Sequence, residues 1–208
     1  MSEQSSDQTA RENHWEAVHT TKVMNDVSWW QDADALWTDL VTGLSVPRDA
    51  AVIDVGSGSG MLADTLLEAG YTNVTVCDIS AASLQRVNER LADRVQYLVG
   101  DVTNLESGRT YDVWFDRAVF HFLTKEDDIA AYRDSLIKHT SPGAFAIIAT
   151  FAEDGPEQCS GLDVHRYTQG ALADTFAPEW HLIHSERRIH TTPWASEQPF
   201  SIVVLQRD

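Results

Sequence analysis

The stretch Val52-Ile-Asp-Val-Gly-Ser-Gly-Ser-Gly60 decides how this chain is read. An apolar run suited to a buried strand enters Gly56, Gly58 and Gly60, and MLADTLLEAG (61–70) follows with helical spacing and closes on Gly70. Glycines at a strand-to-helix bend permit positive φ and remove the Cβ atoms that would block an approaching ligand, while the helix that follows offers free N–H groups. A tight turn without a ligand is the alternative. The dinucleotide fingerprint GxGxxG needs a third glycine where this chain has Met61, which disfavours a pyrophosphate ligand.

Further short apolar runs follow: VTVCD (74–78), VQYLV (95–99), YDVWFD (111–116) and AFAIIAT (144–150). Together with AAVIDV (50–55) they have the composition of buried parallel strands. Between them, SAASLQRVNERLA (80–92) opens on the capping residue Ser80, and TKEDDIAAYRDSLIKH (124–139) has acids at its front and Lys138 and His139 at its end, as helices do. Strand alternating with helix five times predicts an α/β fold, a three-layer α-β-α sandwich. WHLIHSERRIH (180–190) and FSIVVLQR (200–207) read as an antiparallel pair closing one edge, giving a seven-stranded, mainly parallel sheet with an antiparallel last strand. A helix is expected near Thr168–Phe176 after the turn-rich EDGPEQCSG (153–161).

Upstream, Trp15, Val18 and His19 stand at helical spacing, and Leu36, Trp37, Leu40 and Val41 repeat that rhythm before Gly43. The expected organisation is a flexible segment 1–10 and one domain over 11–208. Within it lie a helical cover (11–49), a ligand-binding core (50–150) and a closing segment (151–208).

The 208 residues carry 43% hydrophobic and 23% charged residues, which excludes disordered, collagenous and repeat-built classes. Thirty-two acidic against 15 basic residues leave a formal charge of −17, a field that disfavours nucleic acid and anionic membrane surfaces as partners. Asp outnumbers Glu 20 to 12 and Arg outnumbers Lys 12 to 3, a balance that suits a salt-rich or GC-rich host. Cys77 and Cys159 lie far apart with no CxxC, so neither a disulfide framework nor a metal site is expected. MSEQSSDQTA lacks the basic and apolar parts of a signal peptide, and no apolar run approaches a membrane span, so a cytoplasmic protein is expected.

GxGxG with Asp54 two residues ahead resembles the cofactor motif of class I, Rossmann-like S-adenosylmethionine-dependent methyltransferases. The resemblance is specific over residues 50–150 and looser at both ends. It implies S-adenosylmethionine as cofactor, S-adenosylhomocysteine as product, and N-terminal helices over the cofactor cleft. The cofactor would be held by Asp54, by Gly56, Ser57, Gly58, Ser59 and Gly60, by Asp78 at the ribose hydroxyls, by Ile79 against the adenosine, and by Asp101 and Val102 at the adenine edge. Asp78 at a strand end is chemically suited to accept from two hydroxyls; Asp101 also reads as a solvated turn residue.

YDVWFDRAVFHFL (111–123) is similar to the FDR or WDR segment of thiopurine-methyltransferase-like enzymes, which act on small molecules, and departs from the Pro-Pro signature of amino-directed nucleic-acid methyltransferases. Strands of this fold present ligand-facing groups at their carboxyl ends. Asp116 and His121 are therefore the candidate catalytic residues, His121 as a general base or else as a ring packed between Phe120 and Phe122. Asp116 is also a candidate for the cofactor site. Arg117 is placed at a substrate anion or in a pair with Asp116, and Arg166 and Tyr167 are expected to line the acceptor pocket.

HWEAVHTTKVMNDVSWWQ (14–31) resembles the N-terminal cover of small-molecule and lysine methyltransferases, with His19 where a tyrosine often stands. Trp29 would contact substrate and Trp30 the cofactor through ring faces over the sulfonium. Lys22 is a candidate for the methionine carboxylate. Cys159 is read as an idle thiol or a soft-substrate contact, Cys77 as inert. The leading expectation is a methyltransferase acting on a small molecule by in-line displacement, as a monomer or homodimer. Protein-lysine methylation and a non-catalytic S-adenosylmethionine sensor or scaffold are the alternatives.

Overall fold

The computed structural model describes residues 3–23, 26–30 and 35–208, with side chains from residue 8 onward and none at 35–36. Helix α1 (Glu3–Thr21) and helix α2 (Ala35–Thr42) precede the first strand. Then come β1 (Val52–Val55), α3 (Leu62–Glu68), β2 (Val74–Asp78), α4 (Ala81–Leu91), β3 (Gln96–Val99), β4 (Tyr111–Arg117), α5 (Glu126–Lys138) and β5 (Thr140–Phe151). A two-stranded hairpin of β6 (Gln158–Cys159) and β7 (Leu162–Asp163), helix α6 (Gln169–Thr175), β8 (Trp180–Thr191) and β9 (Glu197–Arg207) complete the chain.

The sheet order is β3-β2-β1-β4-β5-β9-β8. Pairs from β3 through β5 are parallel, and β9 runs antiparallel to both β5 and β8. This is the expected three-layer architecture. On one face Val52, Val76, Phe115, Ile147 and Ile202 pack against Leu66, Leu84, Val87 and Val41 of α2, α3 and α4. On the other Ile53, Trp114, Ile148 and Val203 pack against Tyr132, Leu136, Leu172 and Phe176 of α5 and α6. Each such side chain, fully buried, contributes about 1.5–3 kcal/mol of transfer free energy, which is why the strands read as unbroken apolar runs.

Local chemistry sets the boundaries. Ser80 caps α4 by accepting from the Ser83 N–H, and Thr168 caps α6 by accepting from Ala171. Glu126, Asp127 and Asp128 fill the first turn of α5 and Lys138 its last, complementing the helix dipole. Gly70, at φ 90°, ends the α3 segment.

One expectation needs correction, and two details are added. β3 forms the edge of the sheet, so its residues are exposed or half-buried rather than enclosed. α1 begins at Glu3, within the segment 1–10; Met1 and Ser2 lie outside the described residues. The turn-rich segment contains the β6–β7 hairpin, whose two linking residues, Ser160 and Gly161, have φ of 51° and 79°, the backbone of a tight hairpin turn. In α2, Trp37, Leu40 and Val41 are buried as the spacing predicts, and the side chain of Leu36 lies outside the described residues. No helix among the described residues is long and apolar enough to cross a membrane.

Candidate functional site

From β1 the chain winds outward to β2 and β3, then returns to lay β4 on the other side of β1. That reversal opens a crevice beyond the carboxyl ends of β1 and β4. A cleft of about 1140 Å³, part of it open solvent, occupies this place. Its floor comprises Asp54, Gly56, Ser57, Gly58 and Gly60 from the glycine loop, Cys77, Asp78 and Ile79 from the end of β2, and Gly100, Asp101 and Val102 after β3. Its roof comprises Arg11, Trp15 and His19 of α1, with Trp29.

Gly56 and Gly58 have φ of 62° and 54°, the left-handed backbone that glycine adopts without strain. The loop is held by Ser57 N–H to Cys77 O at 3.0 Å and Gly58 N–H to Asp78 Oδ2 at 2.8 Å. Asp78 also accepts from Ser80 N–H through Oδ1 at 2.8 Å. Burial pushes the Asp78 carboxyl above its ordinary range, against the neighbouring His19 and these two backbone donors. Burial likewise pulls the His19 ring down, with Asp78 opposing.

At the far end Asp101 is saturated. Its Oδ1 accepts from Thr103 N–H (2.9 Å) and Thr103 Oγ1 (2.7 Å), and its Oδ2 accepts from Arg11 Nε (3.2 Å) and Nη2 (2.9 Å). Arg11 reaches Asp128 with its remaining nitrogen at 3.0 Å. One turn further along α1, Glu16 accepts from Ser80 Oγ at 2.6 Å and from Ala82 N–H at 3.2 Å, which ties α1 to the start of α4.

The opposite end is aromatic. Trp15 meets Phe122 edge-on at 5.0 Å and Trp29 at 6.1 Å, and Trp37, Phe115 and Cys159 complete the wall. Arg117 lines the cleft, donates to the Trp29 carbonyl at 3.0 Å and stands 5.3 Å from the Trp37 ring centre. Burial pushes the Cys159 thiol up, opposed by hydrogen bonds from Ser160 and Ser28.

Of the residues chosen from sequence, Asp54, Gly56, Ser57, Gly58, Gly60, Asp78, Ile79, Asp101, Val102, Trp29 and Arg117 meet in this cleft. Ser59 is buried beside it, outside the lining, and Trp30 is half-buried outside it as well.

Five others lie outside the cleft lining. Asp116 is fully buried under the turn at 119–122, accepting from Val119 N–H (2.9 Å), Phe120 N–H (3.2 and 3.3 Å) and Tyr132 Oη (2.7 Å). Burial pushes its carboxyl up to about 6 against those donors. It braces the turn that carries Val119 and Phe122 into the cleft, and does not itself reach the lining. It pairs with Tyr132, and no bond joins it to Arg117 in the described network.

His121 is enclosed between Phe122 and Phe151, at ring distances of 4.4 and 4.6 Å, with Nδ1 accepting from Phe151 N–H at 3.4 Å. Burial lowers its pKa to about 3, so the ring is neutral near pH 7, and it is not part of the lining. Arg166 donates to the Gly155 carbonyl and pairs with Glu157 outside the cleft. Tyr167 is a core residue stacked on His165 at 4.2 Å. Lys22 is exposed and outside the lining.

The residues that sequence reasoning missed are Arg11 and Trp37, together with the cleft-facing roles of Trp15 and His19. Arg11, Trp15 and His19 stand four apart, the spacing of one helix face, so the signal was present.

A family model described as "Methyltransferase domain" matches residues 52–143. A malonyl-[acyl-carrier protein] O-methyltransferase of Ilyobacter polytropus is 23% identical over 106 residues, 50% of this chain and 40% of that protein. The chain thus spans well under half the length of that relative. An S-adenosylmethionine-dependent methyltransferase from Anabaena variabilis superposes with TM-score 0.76 at 16% identity, covering 97% of this chain and 95% of that one. A structure from work on conversion of a disulfide bond into a thioacetal group during echinomycin biosynthesis superposes with TM-score 0.75 at 20% identity, covering 95% and 93%. Sheet order, crevice and these superpositions agree: the chain has the class I, Rossmann-like fold of S-adenosylmethionine-dependent methyltransferases.

Proposed function

We propose that this protein is an S-adenosylmethionine-dependent methyltransferase whose acceptor is a small molecule. The observation that carries the reading is the convergence of three strand-end carboxylates, Asp54, Asp78 and Asp101, with the positive-φ glycine loop on one roofed cleft. The residues fit the cofactor. Gly56 and Gly58 leave the loop backbone bare, and Asp78 spends one backbone donor on each oxygen, leaving acceptor capacity for ribose hydroxyls. Ile79 and Val102 offer apolar surfaces for a purine beside Asp101.

When bound, S-adenosylmethionine supplies an electrophilic methyl group on a sulfonium, transferred by in-line displacement. The chain's own contribution is placement and shielding. Trp15, Trp29, Trp37 and Phe122 keep water from the acceptor end and present ring faces favourable to a cation. Arg117, which donates to the Trp29 carbonyl, brings a positive charge to that end among the described residues. Alignment of two reactants in such a pocket accounts for much of the rate in a displacement of this kind. Because Asp116 and His121 stand outside the lining, they enter the reading only as supports of the 119–122 turn.

Isothermal calorimetry tests the assignment. Heat is expected with S-adenosylmethionine and S-adenosylhomocysteine and none with NAD, and Asp78→Ala should weaken binding at least tenfold through loss of a charged hydrogen-bond acceptor. Binding of NAD, or no binding of either adenosyl compound, would remove the proposal. A screen of thiols, amines, phenols and carboxylates with labelled cofactor then identifies the acceptor; label appearing in protein bands of a lysate would point to a protein substrate.

A further inference from the structure

The adenine end of the cleft contains a contradiction that the geometry itself resolves. In the adenosyl reading above, on which this inference rests, the purine edge lies beside Asp101 and would present its exocyclic amine there. An ionised carboxylate has about four acceptor sites. Thr103 fills two of them on Oδ1 and Arg11 fills two on Oδ2, leaving none for an incoming donor. The Thr103 bonds are local, closing a turn two residues long. The Arg11 bonds come from a helix 90 positions away in sequence, and Arg11 also lines the cleft. Arg11 has a second carboxylate, Asp128, to which it is already joined.

We infer that Arg11 is a specificity-determining residue of the adenine subsite, competing with the ligand for Asp101. A purine takes the Oδ2 position only by supplying an N–H donor where the Arg11 nitrogens now stand. The displaced guanidinium keeps its bond to Asp128. A ligand without a donor at that edge leaves the Arg11–Asp101 pair intact and gains nothing from the carboxylate. The exchange gives up one charged pair at Asp101 for the ligand's N–H bond, so Arg11 lowers affinity for ligands bearing the exocyclic amine and leaves those without it unaffected.

Calorimetry with S-adenosylhomocysteine, and with its 6-oxo analogue S-inosylhomocysteine, tests this directly. Arg11→Met keeps the aliphatic stem over the cleft and removes the competing donors; Arg11→Ala serves as a second variant, and thermal melts establish that each is folded. Both should bind S-adenosylhomocysteine several-fold more tightly than the parent protein. Raising the salt concentration, which weakens the Arg11–Asp101 pair, should tighten binding in the parent and leave the variants unchanged. The preference for the 6-amino over the 6-oxo ligand should be wider in both variants than in the parent. Unchanged or weaker binding of S-adenosylhomocysteine by folded variants would overturn the competition, since Arg11 would then be a spectator or a direct ligand contact. Failure of the parent and both variants to bind S-adenosylhomocysteine at all would overturn the adenosyl reading itself.

Discussion

A Cβ built on Gly56 would stand 2.0 Å from Cγ2 of Val119, at a backbone φ of 62°. Two requirements, a left-handed bend and a bare surface, coincide at one residue. Val119 holds its place because Asp116 bonds the turn from below, and Asp116 and His121 therefore act on the cleft through packing. Their buried titrations oppose each other. Asp116, raised to about 6 from an ordinary 3.8, keeps its proton in the fold longer than in the unfolded chain, so acidification from pH 7 toward 4 relieves a buried charge and adds stability. His121, lowered to about 3 from 6.5, takes its proton in the unfolded chain first, so stability falls as pH drops from 6.5 toward 3. At pH 4 the histidine effect amounts to about 3 kcal/mol. Urea unfolding of His121→Phe should accordingly show a smaller loss of stability between pH 7 and pH 4 than the parent; an equal loss would mean that the ring is not enclosed as described.

The glycine loop and the carboxylates at the ends of β1, β2 and β3 were legible in the sequence because a strand end fixes where the next residue goes. Asp54, Asp78 and Asp101 each follow an apolar run whose direction in a parallel sheet is known once its neighbours are. Past the end of β4 that logic fails. The short turn at 120–122 rotates His121 inward and sends Phe122 to the cleft, and nothing in the order of residue types distinguishes the two. Helix α1 was legible as a helix from its spacing and as a roof only through the resemblance, since its docking depends on Glu16 reaching a helix 64 positions away. Hydrogen bonds from Ser80 and Ala82 hold the Glu16 carboxyl below the usual carboxylate range. Glu16→Ala should therefore loosen α1 and the first turn of α4 while sparing the sheet. Hydrogen exchange is expected to accelerate over 8–21 and 80–83 with little change in β1, β4 and β5; uniform acceleration would show that α1 is part of the core.

Over the whole molecule the excess of acids is the dominant long-range term. The exposed ion pairs, such as Lys138–Glu106 and Arg133–Glu179, are each worth about 0–1 kcal/mol and weaken with salt. Seventeen uncompensated charges repel one another throughout the fold, and salt relieves that repulsion. The second effect involves more charges and should win, so the melting temperature is expected to rise between low salt and about 1 M, where the screening length is about 3 Å. A flat or falling curve would remove the salt-adapted reading of the composition.

The position of β9 has a consequence for how the polypeptide is made. Although it follows every other strand in the sequence, it lies inside the sheet, between β5 and β8. A nascent chain released from the ribosome only as far as residue 196 holds a twelve-residue strand, β8, with no neighbour to hydrogen-bond, and β5 with one side bare. The floor of the cleft, built at the ends of β1 through β4, can assemble earlier in synthesis, whereas the far half of the sheet waits for its final insertion.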